Sequence, residues 1–180
     1  MNKDELELLI GDDFKLTATV LPPNTTDKTV VWSSSETSVA KVDAEGLVTA
    51  IGAGNAVITA TCGSASATCQ VTVNKFSQEI VWDQTFDNVK EGDVITLTAT
   101  ATSHLAVSYE ITEGTSIASI SGNILTVIKV GEIKITASQS GNAEYDAAEP
   151  VTKTITIASG IEEVIADANG RYIVHNLHGV

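Results

Sequence analysis

Gly11-Asp12-Asp13-Phe14-Lys15-Leu16-Thr17-Ala18-Thr19 and Gly92-Asp93-Val94-Ile95-Thr96-Leu97-Thr98-Ala99-Thr100 are two renderings of one pattern. Each opens on Gly-Asp, a turn signal, and runs into an alternation that puts Leu and Ala on one face and Thr on the other. Leu47-Val48-Thr49, Gly54 and Ile58-Thr59-Ala60 are answered in the same order by Ile124-Leu125-Thr126, Gly131 and Ile135-Thr136-Ala137. Self-similarity of this kind marks a structural unit used twice, here of about 75 to 80 residues. A chain of 180 residues could be one large domain or two small ones. The repeat decides for two, expected over residues 1–74 and 75–158, with a tail over 159–180.

Working outward from the quoted stretches, each copy is expected to hold about seven short strands bounded by turn residues. In the first they are placed near 6–10, 15–21, 30–33, 39–42, 47–50, 56–61 and 67–73, and in the second near 80–86, 94–101, 107–111, 117–119, 124–127, 132–137 and 151–157. Alternation in Lys15-Leu16-Thr17-Ala18-Thr19-Val20 and Thr152-Lys153-Thr154-Ile155-Thr156-Ile157 makes one face apolar and leaves the other wet, as antiparallel sheets do. The fold class is therefore all-β: two tandem immunoglobulin-like β-sandwiches. Ala168-Asn169-Gly170 marks the turn of a short C-terminal hairpin. Trp32 and Tyr109 occupy matching places in the third strands and are expected as core anchors, and Gly54 and Gly131 are expected to supply a positive φ or a bulge.

Composition narrows the function. The net charge is −13, 43% of residues are apolar and only 4% are aromatic. So acidic a surface repels phosphate backbones, and no apolar run approaches the roughly 20 residues of a membrane-spanning helix. Nucleic-acid partners and transmembrane segments are not expected, and the chain is expected to be monomeric. Residues 1–6 carry no basic region followed by an apolar one, so no signal peptide is read. The strand pattern begins almost at once and stops in mid-course at His178-Gly179-Val180, which points to a piece of a longer exported protein.

Leu16-Thr17-Ala18-Thr19-Val20-Leu21-Pro22, Val31-Trp32-Ser33-Ser34-Ser35, Val39-Ala40-Lys41-Val42-Asp43, Gly46-Leu47-Val48-Thr49-Ala50 and the run Gly52 to Ala60 follow one another in an order that resembles the bacterial group 2 immunoglobulin-like family. That family occurs in adhesins of the intimin and invasin kind and in surface proteins of gut bacteria. The second copy resembles a divergent bacterial module of the same type, with Ala137 to Ala148 replacing the tight hairpin of the first. Gly160-Ile161-Glu162-Glu163-Val164 and Tyr172 to Val180 resemble the start of a Bacteroidetes-type C-terminal sorting domain. The resemblance implies an extracellular or outer-membrane location.

Few residues offer chemistry. Cys62 and Cys69 flank a small-residue connection and, if they face one another across a hairpin, can form a disulfide. Two thiols with no nearby His cannot complete a zinc shell. His104, His175 and His178 lack further ligands, and there is no phosphate loop, nucleophile elbow or HExxH motif, so catalysis and cofactors are not expected. Asp12-Asp13, Asp43 with Glu45, and Glu91 with Asp93 leave a weak calcium site open. Asn24-Thr25-Thr26 is a glycosylation sequon that carries little weight in a bacterial chain. Trp82 is the foremost of the few aromatics to spare for a ligand. The expected function is a non-enzymatic structural or adhesion segment, a stiff spacer or cell-adhesion module whose partner would be a surface protein or glycan. The alternative is a carbohydrate-binding accessory module of a glycan-degrading enzyme.

Overall fold

The Gly-Asp turns are where each chain changes sheet. In the computed structural model, which describes residues 1–23 and 25–159 and the strand backbones of 163–166 and 172–175, Asp12 Oδ2 accepts the Leu9 N–H at 2.9 Å. Asp93 Oδ2 accepts the Lys90 N–H at 2.8 Å in the same way. Gly11 and Gly92 sit at φ 89° and 91° and donate their N–H groups to Ala50 O and Val127 O. The repeat read from sequence is thus a repeat of hydrogen bonds.

In the first unit, β1 (Glu5–Leu9) enters the turn and β2 (Asp13–Lys15) leaves it. The remaining strands are β3 (Val31–Ser34), β4 (Ala40–Val42), β5 (Leu47–Ala50), β6 (Gly54–Cys62) and β7 (Ala65–Asn74). One sheet has the order β1-β7-β6-β3 and the other β2-β5-β4. Leu6, Leu8, Leu16, Val48, Ile58 and Val71 are among the side chains buried between them, and Trp32 packs against this core half-buried, as an anchor should. Each fully buried Leu or Ile contributes on the order of 1.5 to 3 kcal/mol. β1 runs parallel to β7, with Leu6 opposite Val71 and Leu8 opposite Val73. Alternation in sequence fixes which face is buried but carries no information on strand direction.

The second unit repeats this plan. Its strands are β8 (Ile80–Val81), β9 (Val94–Thr96), β10 (Thr100–Ala101), β11 (Ser108–Glu113), β12 (Ala118–Ser121), β13 (Ile124–Val127), β14 (Gly131–Ser138) and β15 (Val151–Ile157). They form the sheets β11-β14-β15 and β12-β13-β9, with β10 paired to β8. Leu97, Leu125, Ile133, Ile135 and Ile155 lie at its centre. In the tail, β16 (Glu163–Ala166) and β17 (Tyr172–His175) pair antiparallel, while the turn expected at 168–170 lies outside the described residues. Among the described residues there is no helix, and the all-β expectation holds.

The contacts divide the chain into Met1–Ser77 with Gly141–Ala147, and Gln78–Ser140 with Ala148–Val180. Within the first group Phe76 N–H donates to Glu144 O at 2.8 Å, Asp146 N–H donates to Phe76 O at 2.9 Å, and the Phe76 and Tyr145 rings lie 5.6 Å apart. Three expected strands come out shorter than the alternation suggested, among them 80–86, which is a strand only over Ile80–Val81. The strand expected at 15–21 ends at Lys15, which faces Leu47 at the start of β5; Leu16 N–H still donates to Gly46 O at 2.9 Å, and there the partner turns away. Residues 94–101 are divided into β9 and β10.

Gly54 and Gly131 open equivalent strands at φ 145° and 144°, the positive φ expected of them. A Cβ on Gly54 would stand 2.9 Å from Val39 Cγ2, and one on Gly131 would stand 2.7 Å from Ile117 Cδ1. Both Gly→Ala variants should lose about 1 to 3 kcal/mol in urea unfolding through the strained backbone. Gly54→Ala should lose more, since the branched Val39 methyl is held at Cβ while the terminal Ile117 methyl can swing aside.

Candidate functional site

Trp82, the residue expected to meet a ligand, is only 5% exposed and fills the core of the second unit. Its ring meets Phe86 edge-on at 5.8 Å and Tyr109 at 5.7 Å. Its Nε1–H donates to Gln84 Oε1 at 3.1 Å, and Lys153 Nζ lies 5.5 Å over the ring. The indole is therefore spent on packing, and the reading of Trp82 as a ligand contact is corrected. Trp82 lies on the same inward face as Ile80, with Val81 turned to solvent, so the alternation itself carries the signal that the scarcity of aromatics hid. Tyr109 does pack against this core; its hydroxyl donates to Ala99 O at 3.2 Å, and burial pushes the phenol above its ordinary pKa.

Cys62 and Cys69 are both free thiols, which corrects the expected disulfide. The β6–β7 hairpin turns tightly at Gly63-Ser64, so Cys62 faces Ala65 and Cys69 faces Ile58. Four residues of strand put the two cysteines about 13 Å apart along the ladder, far beyond the spacing a disulfide bridges. Cys69 is a core residue, and its thiol is pushed above the ordinary value by burial and by the charges of Asp4 and Glu5. Cys62 is half-exposed, with its Sγ 3.6 Å from Asp27 O.

One carboxylate of each acidic pair caps a turn. Asp43 Oδ1 accepts the N–H groups of Glu45 at 2.9 Å and Leu47 at 2.8 Å, which parallels the roles of Asp12 and Asp93. Among the described residues no three His, Cys, Asp or Glu side chains form a group that could hold a metal ion. The loop tips are similarly self-satisfied. The Thr29 N–H holds the exposed Asp27 carboxyl below its ordinary pKa, and the Ser38 hydroxyl and N–H do the same for Glu36. Asn24 and His178 lie outside the described residues, and His104 is exposed at φ 62°.

Two residues that no motif singled out share a specific role. Asn2 Oδ1 accepts the Thr17 N–H at 2.8 Å while its Nδ2–H donates to Lys15 O at 3.5 Å. In the second unit Gln84 Oε1 accepts the Thr98 N–H at 3.0 Å and its Nε2–H donates to Thr96 O at 2.8 Å. Each amide stands in for a length of backbone along the strand that has left its ladder. Beside Asn2, a surface cavity of about 120 Å³ is lined by Met1, Ala18, Val20, Ala60, Cys62 and Ala67 among others.

Native protein should therefore yield reaction of Cys62 with a thiol reagent while Cys69 stays protected until unfolding. Two thiols per chain should appear in denaturant without reductant, and fewer would contradict the register. Trp82→Ala should cost about 3 to 5 kcal/mol of stability, read from the urea transition of the second unit.

Residues 1–81 match the family model of the bacterial Ig-like domain (group 2). An uncharacterised protein of Clostridium acetobutylicum is 33% identical over 146 residues, covering 77% of this chain and 15% of that protein. The alpha-L-arabinofuranosidase of Bifidobacterium longum is 47% identical over 78 residues, covering 42% of this chain and 7% of the enzyme. A 3-O-alpha-D-galactosyl-alpha-L-arabinofuranosidase of the same species is 41% identical over 75 residues, covering 40% and 7%. The chain spans only 15%, 7% and 7% of the length of these relatives. The match to the bacterial Ig-like domain (group 2) model lies over the two-sheet sandwich of β1–β7, to which this part of the chain is similar.

Proposed function

We propose that this chain is a non-catalytic spacer segment of an exported bacterial protein, one that carries other domains without itself engaging a ligand. The observation that carries the reading is the fate of the aromatic side chains. Sugar recognition uses aromatic faces open to solvent, and among the described residues none of the large exposed hydrophobics is aromatic. Trp82, Phe86 and Tyr109 pack on one another, Phe76 meets Tyr145, and Phe14 and Trp32 pack on the first core. Asp12, Asp43 and Asp93, the carboxylates that the candidate metal clusters would need, are committed to backbone N–H groups at turns.

The two arabinofuranosidases among the relatives favour a setting beside glycan-degrading enzymes, in which such a segment covers a small share of a long chain. They also motivate the competing reading of a carbohydrate-binding accessory module. A glycan array that includes arabinan and galactosylated arabinose oligosaccharides separates the two. The chain should be retained by none of them at roughly 100 μM protein, a level at which even millimolar-range affinities leave a detectable fraction bound. Saturable retention by any glycan would overturn the spacer reading.

A further inference from the structure

The lysines of the chain are held in different ways. Lys15, Lys41, Lys134 and Lys153 lie inside strands. Lys3 stands between Asn2, whose Oδ1 accepts the Thr17 N–H, and Asp4, whose carbonyl accepts the Gln70 N–H at 2.8 Å. Lys75 Nζ donates to Asn142 O at 2.7 Å, and the N–H that follows, on Phe76, donates to Glu144 O at 2.8 Å. Lys90 N–H donates to Asp93 Oδ2, and Lys90 bridges to Ala158. Lys129 sits in the short connection between β13 and β14, where its N–H donates to Ile117 O at 3.0 Å.

Lys28 is placed otherwise. Residues 18–30 join β2 to β3 without entering a ladder, and Thr26, Asp27, Lys28 and Thr29 are all exposed. Among the described residues of this stretch, Thr25 N–H donates to Pro22 O at 3.1 Å and Thr29 N–H to Asp27 Oδ1 at 2.9 Å, and the Cys62 thiol meets Asp27 O at 3.6 Å. The first two bonds span only two or three residues, so opening them disturbs no strand. A protease takes its substrate as an extended stretch along its own backbone edge. Bonds inside ladders are therefore closed to it, while an exposed polar connection is open.

A cut there leaves the parts on either side of it joined. β1 pairs with β7 from Glu5 opposite Gln70 to Leu9 opposite Asn74, and β2 pairs with β5, so both ladders run to strands beyond Thr29. Leu6, Leu8 and Leu16 are buried in one core with Val48, Ile58 and Val71. Their burial is non-directional and needs no covalent link to persist.

We propose that the peptide bond between Lys28 and Thr29 is a processing site for a lysine-directed endoprotease, and that the cut first unit persists as two chains in one sandwich. Hydrolysis breaks the bond from Lys28 C to Thr29 N and consumes one water. Its oxygen completes a carboxylate on Lys28, and its two protons go to the Thr29 nitrogen, which becomes an ammonium. One cut thereby turns a covalent joint into a reversible one whose strength is set by β1 and β2. This goes beyond the spacer reading and holds whether or not the chain takes a glycan.

The test digests the full chain under native conditions with a lysyl endopeptidase, which does not cut after Arg171, and identifies the products by mass over time. The first pair of fragments should end at Lys28 and begin at Thr29. A first cut after Lys3, Lys75 or Lys129 would overturn the site. The exposed substitution Lys28→Gln should slow the first cleavage about tenfold or more, since the remaining lysines become accessible only when structure opens. Cleavage of that variant at the rate of the original chain would also overturn the site. On size exclusion the cut chain should give one peak in buffer, holding both fragments, and two peaks in urea. Two peaks in buffer would overturn the two-chain sandwich.

Discussion

Both sandwiches depend on the chain crossing from one sheet to the other within a few residues, and that crossing is held by a carboxylate on a backbone N–H. Asp12 closes the turn after β1 by taking the Leu9 N–H, and its own carbonyl accepts the Ala50 N–H from the opposite sheet. Asp93 does the same between Lys90 and Val127. A turn so defined fixes which sheet receives the next strand, and with it which face of Leu16-Thr17-Ala18 or Leu97-Thr98-Ala99 meets the core. Once Leu16 and Leu97 are buried, the alternation dictates the rest of each inner face.

The same economy explains why little surface chemistry remains. Acidic residues are numerous, and Asp12, Asp43 and Asp93 serve as turn caps, so the net charge of −13 describes a solvated skin. Aromatic residues are scarce, and among the described residues folding consumes them. The second unit draws Trp82, Phe86 and Tyr109 into one edge-to-face cluster, in which each ring contributes burial and quadrupole contacts together.

Side-chain amides extend this logic to strands that outrun their partners. Asn2 and Gln84 differ by one methylene, yet both satisfy the N–H and C=O groups on either side of a Leu, Leu16 or Leu97, that is fully buried. A short polar side chain is here a substitute for the missing edge of a sheet.

Much of this was legible in the sequence. The repeat, the strand positions, the inward faces and the positive φ at Gly54 and Gly131 follow from local alternation and turn chemistry, which act over a few residues and survive in any context. The order of strands, the parallel pairing of β1 with β7 and the early end of the β2 ladder were not legible, because they depend on where distant segments stop. The same limit applies to the residues read as sites. Cys62 and Cys69 look like partners in sequence, and only the tight turn at Gly63-Ser64 sets them out of register. Trp82 looks like a spare aromatic until the sandwich closes over it. By itself the sequence determined which residues seek water and which avoid it; the tertiary structure decided which of them meet, since hydrophobic burial is non-directional and only long-range register gives it a partner.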